Sequence, residues 1–570
     1  MKVTMKLYTP VKQNLSLFEK HQPLIERAIE ALHKRENYEV FPEMPSPKYY
    51  GETAEAEQKQ QFESQLGSKF DRLKQSHDTW VVSDEKSPFT GKRLEVSYPA
   101  YKDCSTYIAT ACDASSDWRQ TDARTRAGIL TESLERLKLK FYEVAFSTMH
   151  TTGQSFMMSF QASGPHAADR AMEAIALGYQ ELTRFPDRLT WEKPMGKVTI
   201  TLEKFSTIVP RGLSLSIGCS TFPTWNTVPG LYASLITGNP VIVKPHPRAI
   251  YPIAVVIACL QEVLEENGFN PNIVMLAVDT DKKLITRELA ENPAVKIIDY
   301  TGGSAFGQII ETLPGKITFT EKAGVNSMII DSVSDLKAMA QNVAFSLSLY
   351  SGQMCTAPQN FFIPKDGIKV GDSHVSFDDV KNAIVEAVRG LVGHPKMGHA
   401  VVGAIQSEAT RKRIKEAASL GGEVLLESQP VENPEFPDIV SASPVILQVS
   451  PSDRKIFESE LFGPIAFIIP TADTKESVKL ASSIAREHGA ISCGAYTLDD
   501  DTMDMIAREM AGAGTPVSFN LTGNIYVNQN AGFSDFHVTG GNPAGNATFT
   551  NPEFLLKRFV RVQSRVNKEA

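Results

Sequence analysis

From Val198 onward the chain alternates short β-rich runs with helical segments, and this rhythm constrains the fold more than any other feature. The runs are Val198–Val209, Leu213–Ile217, Pro240–Lys244, Ile273–Val278 and Val295–Tyr300, with helical Pro252–Asn267 and Lys282–Glu291 between them. Strands that alternate with helices read as βα units on a mostly parallel sheet. Ligands of such sheets bind beyond the carboxyl ends of the strands, so polar and Gly residues after each strand are the ones to inspect. A second alternating set runs from about Ser327 to Thr497, strand-like at Met328–Ile330, Asn360–Ile363, Ala466–Ile469 and Ala490–Thr497. The expected fold class is therefore α/β, with a parallel-sheet domain followed by a second α/β domain.

The flanks read differently. Residues 1 to about 90 are polar, helical near Leu24–His33 and irregular over the Pro-rich stretch Phe41–Tyr50, and are expected to lie on the main body as an extension. Leu130, Leu134, Leu137, Phe141 and Val144 recur at spacings of three and four, which predicts one amphipathic helix ending near Thr152-Gly153. The stretch Ser534–Asn551, rich in Gly, Asn and Thr, reads as loop.

Bulk properties exclude several classes. At 570 residues the chain has material for two or three domains. A formal charge of −8 without a long basic run argues against nucleic acid as a partner. The longest apolar run, Tyr251–Leu260, is too short to span a bilayer, and the N-terminus carries no apolar targeting segment, so a cytoplasmic protein with no membrane partner is expected. Six scattered cysteines without CxxC spacing, and histidines without HExxH, give no sign of a disulfide framework or a metal site. Any chemistry is then expected from side chains and an organic cofactor.

Four segments could carry that chemistry. Lys244-Pro245-His246-Pro247 directly follows a strand-like run. Tyr300-Thr301-Gly302-Gly303-Ser304-Ala305-Phe306-Gly307 is a Gly-rich turn opening a helix, where free N–H groups and the helix dipole suit a phosphate. Glu321 lies in Thr320-Glu321-Lys322-Ala323-Gly324, and Cys355 in Ser351-Gly352-Gln353-Met354-Cys355-Thr356. Each has an ordinary reading on its own: a plain turn, a solvated carboxylate, a buried filler thiol.

Their order is more specific. Lys-Pro, then Thr-Gly-x-x-x-x-Gly, then Glu-x-x-Gly, then Gly-Gln-x-Cys resembles the aldehyde dehydrogenase superfamily over roughly residues 91–565. The family's Glu lies 34 residues before its Cys, and here 355 − 321 = 34. Glu460-Leu461-Phe462-Gly463-Pro464 matches its later Glu-x-Phe-Gly-Pro signature. Closer still, Phe41–Tyr50 with Gly51-Glu52-Thr53, His150-Thr151-Thr152-Gly153-Gln154, the FSLSLYSGQMCTAP stretch and Ser534-Asp535-Phe536-His537 look like the PaaN-type proteins of phenylacetic acid degradation.

The resemblance implies an NAD(P)-dependent oxidation of an aldehyde, by pathway analogy an aromatic or ring-derived semialdehyde, CoA-linked or free. Cys355 would attack the carbonyl and Glu321 would activate water to hydrolyse the resulting thioester. Lys244, Glu460 and Phe462 would contact the cofactor, and Gly302, Gly303 and Gly307 its phosphates. The family's oxyanion-holding Asn lies 23 residues before the Lys, where this chain has Thr221 (244 − 23 = 221), while Asn226 lies five residues further on, so both stay open. Asn360 stands where the family has Arg, and Pro247 where it often has an acid. Loss of that acid beside Lys244 and Arg248 reads as favouring NADP over NAD. A CoA-acylating enzyme and a non-catalytic subunit are the alternatives.

The resemblance divides the chain into an extension (1–90), a cofactor domain (91–190 and 207–322), a catalytic domain (323–520) and oligomerisation or bridging elements (191–206 and 521–570). A β arm at Val198–Val209 with a tail strand at Ile525–Asn528 would make a homodimer or homotetramer.

Overall fold

The computed structural model describes residues 14–322, 324–527, 532–533 and 537–567. Five parallel strands form the first sheet, in the spatial order Val274–Leu276, Val241–Lys244, Leu213–Ile217, Val295–Thr301, Ile317–Glu321. The order reverses between Leu213–Ile217 and Val295–Thr301, and a crevice opens there at the strands' carboxyl ends. Strand Leu213–Ile217 is buried throughout, as a central parallel strand with helices on both faces must be.

The second sheet has seven strands, ordered Glu423–Leu426, Val445–Gln448, Ile465–Thr471, Pro358–Pro364, Asn326–Ile330, Cys493–Tyr496, Val517–Phe519. All pairs are parallel except the edge pair Glu423–Leu426 with Val445–Gln448. Alternation puts Ile330, Phe361, Ile446 and Ile468 into the core on one face. Ile329, Phe362, Leu447 and Phe467 enter the core on the other. Residues Arg188–Met195, Val198–Pro210 and Phe559–Asn567 form a separate three-stranded antiparallel sheet. No helix among the described residues is long and apolar enough to cross a membrane.

The α/β class and its two sheets agree with the sequence reading, and four details differ. First, the predicted single amphipathic helix is two, Ala123–Lys138 and Phe141–Thr152. The stripe is core throughout, but the Oε1 of Gln58 accepts from the backbone N–H groups of Tyr142 and Glu143 (3.0 and 3.2 Å) and starts a new helix. Second, Asp279 Oδ2 accepts from Ile285 N at 3.1 Å and holds residues 280–285 as a turn, so the helix predicted from Lys282 begins at Thr286. Third, Ile273–Val278 shortens to Val274–Leu276, because Asn270 caps a 3₁₀ turn at Pro271–Ile273. Fourth, the tail strand expected at Ile525–Asn528 is absent from residues 525–527; Asn528 lies outside the described residues, as do residues 534–536. Asn342 Nδ2 donates to the carbonyls of Gly523 and Ile525, and the strand that pairs with Val198–Pro210 is Phe559–Asn567.

The N-terminal region is built into the body. Phe18, Ile25, Ala28 and Leu32 of helix Ser16–Lys34 are buried. Gly128 permits its close approach, since a Cβ there would lie 2.4 Å from Phe18 N. Glu85 is buried and accepts from Ile250 N (2.6 Å) and Tyr251 N (2.7 Å), capping helix Tyr251–Glu266 from outside.

Candidate active site

Two cavities meet at Cys355. One, of about 290 Å³, occupies the crevice of the first sheet and is lined by Cys219, Thr221, Asn226, Thr301, Gly302, Gly303, Glu321, Glu460 and Phe462. The other, of about 410 Å³, is mainly apolar and is lined by residues including Met157, Met158, Trp225, Phe345, Tyr526 and His537. Cys355 and Phe222 line both.

The loop that presents Cys355 is tightly constrained. Tyr350 (φ 52°), Ser351 (φ 51°) and Gly352 (φ 59°) take left-handed conformations in succession, which non-glycine residues hold only when their surroundings insist. Here the Tyr350 hydroxyl donates to Thr152 O (2.7 Å) and Ser351 Oγ to Ala442 O (3.0 Å). A Cβ on Gly352 would lie 2.6 Å from Gly463 O, so the Gly-Gln-x-Cys and Glu-x-Phe-Gly-Pro segments touch backbone to backbone. Asn326 completes the frame. Its Nδ2 donates to Cys355 O (2.7 Å) and Ala357 O (3.0 Å), while its Oδ1 accepts from Ile491 N (2.9 Å) and Ser492 N (3.0 Å).

Glu321 ends the last strand of the first sheet and is buried. Its Oε2 accepts from Asn226 Nδ2 at 2.9 Å, and its Oε1 lies 2.9 Å from His537 Nε2. The same nitrogen is 3.6 Å from Cys355 Sγ. Burial raises the Glu321 carboxyl, but the charge and hydrogen bond of His537, then Arg170, outweigh it and hold it below the usual carboxylate range. Burial, then the Glu321 charge, pushes the Cys355 thiol well up. The arrangement joins a thiol, a carboxylate, an amide donor and an imidazole at the junction of a polar and an apolar cavity.

Of the residues singled out from sequence, Cys355, Glu321, Thr221, Asn226, Gly302, Gly303, Glu460 and Phe462 all line the polar cavity. Gly303 has open space where a Cβ would sit and starts helix Ser304–Glu311. Two residues lie elsewhere. Lys244 is buried and pairs with Asp279 at 2.7 Å, donating also to Pro245 O (2.6 Å). Gly307 packs inside the helix, where a Cβ would lie 2.6 Å from the Lys322 side chain. The two candidates for the oxyanion donor separate: Thr221 turns its hydroxyl to Cys219 Sγ (3.8 Å), while the Asn226 amide faces Glu321. Asn360 holds Phe457 O at 3.0 Å and Gln359 holds Ser459 O at 3.1 Å, together fixing the segment that carries Glu460.

The premise of two cations without an anion is overturned. Asp279 neutralises Lys244, and Asp281 accepts from Arg248 at 2.8 Å. Sequence reasoning also missed Asn326, the Trp225–Arg170 stack (3.9 Å) and His537 as a site residue. His537 ended a segment noticed only for its resemblance, so a signal existed without a role attached.

The chain matches the aldehyde dehydrogenase family over residues 78–559. Its structure superposes on an NAD-dependent aldehyde dehydrogenase from Burkholderia multivorans with a TM-score of 0.94 and 46% identity, covering 97% of this chain and 99% of that one. A 1-pyrroline-5-carboxylate dehydrogenase from Thermus with bound NAD shares the fold at a TM-score of 0.72 and 18% identity, over 93% and 99% of the two chains. The 1-pyrroline-5-carboxylate dehydrogenase of Bacillus licheniformis is 23% identical over 454 residues, 76% of this chain and 79% of that one.

Proposed function

This chain belongs to the aldehyde dehydrogenase family, and on that premise we propose that it oxidises an apolar aldehyde, aromatic or ring-derived, to the free acid through a thioester on Cys355. The observation that carries the reading is the meeting of a polar and an apolar cavity at that sulfur. The general activity, NAD-dependent oxidation of an aldehyde, follows from the family and from the Burkholderia structure. The substrate is the proposal. The described residues lining the apolar cavity include no Lys, Arg, Asp or Glu, and its two histidines already face carboxylates, His166 that of Glu43 (2.8 Å) and His537 that of Glu321 (2.9 Å), so a substrate carboxylate would find no unpaired cation there. Such a lining fits an aryl or alkyl chain, in line with the PaaN-type resemblance and a substrate from phenylacetate breakdown, CoA-linked or free.

The polar cavity fits a nicotinamide dinucleotide. Gly303 leaves room at a helix N-terminus for a phosphate, and Glu460 offers a carboxylate to ribose hydroxyls beside Phe462. When bound, the cofactor accepts the hydride. The Cys355 thiolate attacks the carbonyl carbon, and the Asn226 amide and the Cys355 N–H hold the oxyanion. Glu321 takes a proton from the water that hydrolyses the thioester, so water rather than CoA is the acceptor and the chain is an enzyme rather than a structural subunit. With Lys244 and Arg248 each paired to an acid, NAD is the preferred cofactor and NADP the second.

The proposed domains are an extension (1–90), a cofactor domain (91–190 and 207–322), a catalytic domain (323–520) and bridging elements (191–206 and 521–570), whose strands, Phe559–Asn567 among them, form the arm of a homodimer or homotetramer in the cytoplasm. Exposed Val198, Met195 and Val562 on that sheet support an arm that needs a cover. A panel of phenylacetaldehyde, benzaldehyde, hexanal and the semialdehydes of succinate and glutamate, each with NAD and NADP and with and without CoA, tests the reading. Phenylacetaldehyde and hexanal should exceed the semialdehydes in kcat/KM by tenfold or more. A preference for a carboxylated semialdehyde, or strict dependence on CoA, overturns it.

A further inference from the structure

We infer that His537 is a catalytic residue of this chain, taking the proton of Cys355 so that the nucleophile rests as a thiolate–imidazolium pair braced by Glu321. The inference rests on reading Cys355 as the nucleophile. Cys355 Sγ, His537 Nε2 and a Glu321 carboxylate oxygen lie within 4.8 Å of one another. His537 Nε2 faces Sγ at 3.6 Å and Glu321 Oε1 at 2.9 Å. A nitrogen lone pair and a carboxylate oxygen repel at 2.9 Å, so a proton must lie between them. In the proposed pair the imidazole's own proton is on Nδ1, and the proton between Nε2 and Glu321 Oε1 is the one that leaves the Cys355 thiol.

Charge then decides where the thiol proton goes. Burial, then the Glu321 charge, with Cys219 and Glu460, pushes the Cys355 thiol up, so a resting thiolate needs a proton acceptor in contact with the sulfur. His537 supplies the missing acceptor. The S–H bond breaks, an Nε2–H bond forms, and the new N–H is shared between the thiolate and Glu321 Oε1. No oxidant or reductant takes part. Aromatic and cationic neighbours fix the imidazole in this position. Its ring meets the Trp225 ring edge-on (4.6 Å, 85°), and Arg170 lies 3.9 Å over the same Trp225 ring. Arg170 is the remaining cation acting on Glu321. His537 is buried, so its position is set by these contacts rather than by solvent.

The test is the pH profile of Cys355 alkylation by iodoacetamide in the full-length protein without aldehyde, in wild type and His537→Gln. Wild type should alkylate on a plateau from pH 6 to 8. His537→Gln should react at least tenfold more slowly at pH 7 and recover above about pH 9.5, a pH shift that loss of packing alone does not produce. The second measurement needs no His537 variant. Thiolate absorbance near 240 nm, with Cys355→Ser as the blank, should already be present at pH 6 in wild type. Thiolate that appears only above about pH 9 in wild type, or an unshifted profile in a folded His537→Gln protein, overturns the inference. Because neither readout uses aldehyde turnover, an intact ion pair in a protein that oxidises no aldehyde would sink the proposed function and leave this inference standing.

Discussion

The Asn226 amide donates to Glu321 Oε2 at 2.9 Å, so the proposed oxyanion donor and the proposed general base are bonded to each other. In this state neither is free for its role, and the approach of a carbonyl must draw the amide away. Asn226→Ala should lower kcat by about 10²–10³, the loss typical of one oxyanion donor. Thr221→Ala, which loses only a contact to Cys219 Sγ at 3.8 Å, should stay within about threefold in kcat by the same reasoning. Steady-state kinetics on both variants check the assignment; a larger loss at Thr221 reverses it.

Glu321→Gln should stop the cycle at the thioester. Stopped-flow absorbance at 340 nm should show a burst of about one reduced cofactor per site and then slow turnover. A linear trace at the wild-type rate would remove Glu321 from the hydrolytic step.

Cofactor choice follows the ion pairs. With Asp279 on Lys244 and Asp281 on Arg248, no unpaired cation of this pair awaits a 2′-phosphate, and kcat/KM should be higher with NAD than with NADP. Asp281→Asn releases Arg248. The exposed pair is worth about 0.2–1 kcal/mol, so the ratio should move toward NADP by up to about fivefold. Initial rates with both cofactors measure it.

Glu460 gives a pH dependence with a definite sign. Burial pushes its carboxyl up to about 7 from an ordinary 4.5. Only the ionised form accepts from ribose hydroxyls with both oxygens, so KM for the cofactor should fall as pH rises through about 7. Glu460→Gln should flatten that dependence. The stability term runs the other way: between 4.5 and 7 the folded chain holds a proton that the unfolded chain has released, so its stability falls as pH rises across that window.

Arg558 ties the C-terminal segment to the first sheet. Its guanidinium pairs with both Asp299 oxygens (2.5 and 2.8 Å), donates to Ser234 Oγ (2.7 Å), and is fully buried. Arg558→Met leaves Asp299 unpaired in the core and should cost about 3–5 kcal/mol. Arg561→Met, on the partly exposed arm, should cost far less. Thermal unfolding of the two variants, side by side, checks the contrast.

The strands were the most legible part of the chain. Leu213–Ile217 and Val295–Thr301 are apolar runs that only a doubly covered sheet can bury, and their pattern survives into the fold. Helix limits were less legible, because side chains distant in sequence set them: Gln58 restarts the helix at Phe141, and Asp279 delays the one at Thr286. The tail strand was misplaced for a related reason. Tyr526 and Val527 are apolar because they are buried in the second domain's core, and the strand is Phe559–Asn567, which pairs residue by residue with Val198–Pro210.

By itself the sequence determined the two α/β sheets, the order of the motifs and the 34-residue step from Glu321 to Cys355, since periodicity and spacing are local properties that survive folding. Only the tertiary structure decided which polar atoms face one another. It turned Lys244 onto Asp279 rather than into the cavity, chose the Asn226 amide over the Thr221 hydroxyl as the partner of Glu321, and brought His537 across 182 residues to Cys355. Loops carry no hydrophobic period that would place their side chains. Their positions are set by hydrogen bonds to buried backbone, such as those of Asn326, and these exist only after both sheets have assembled.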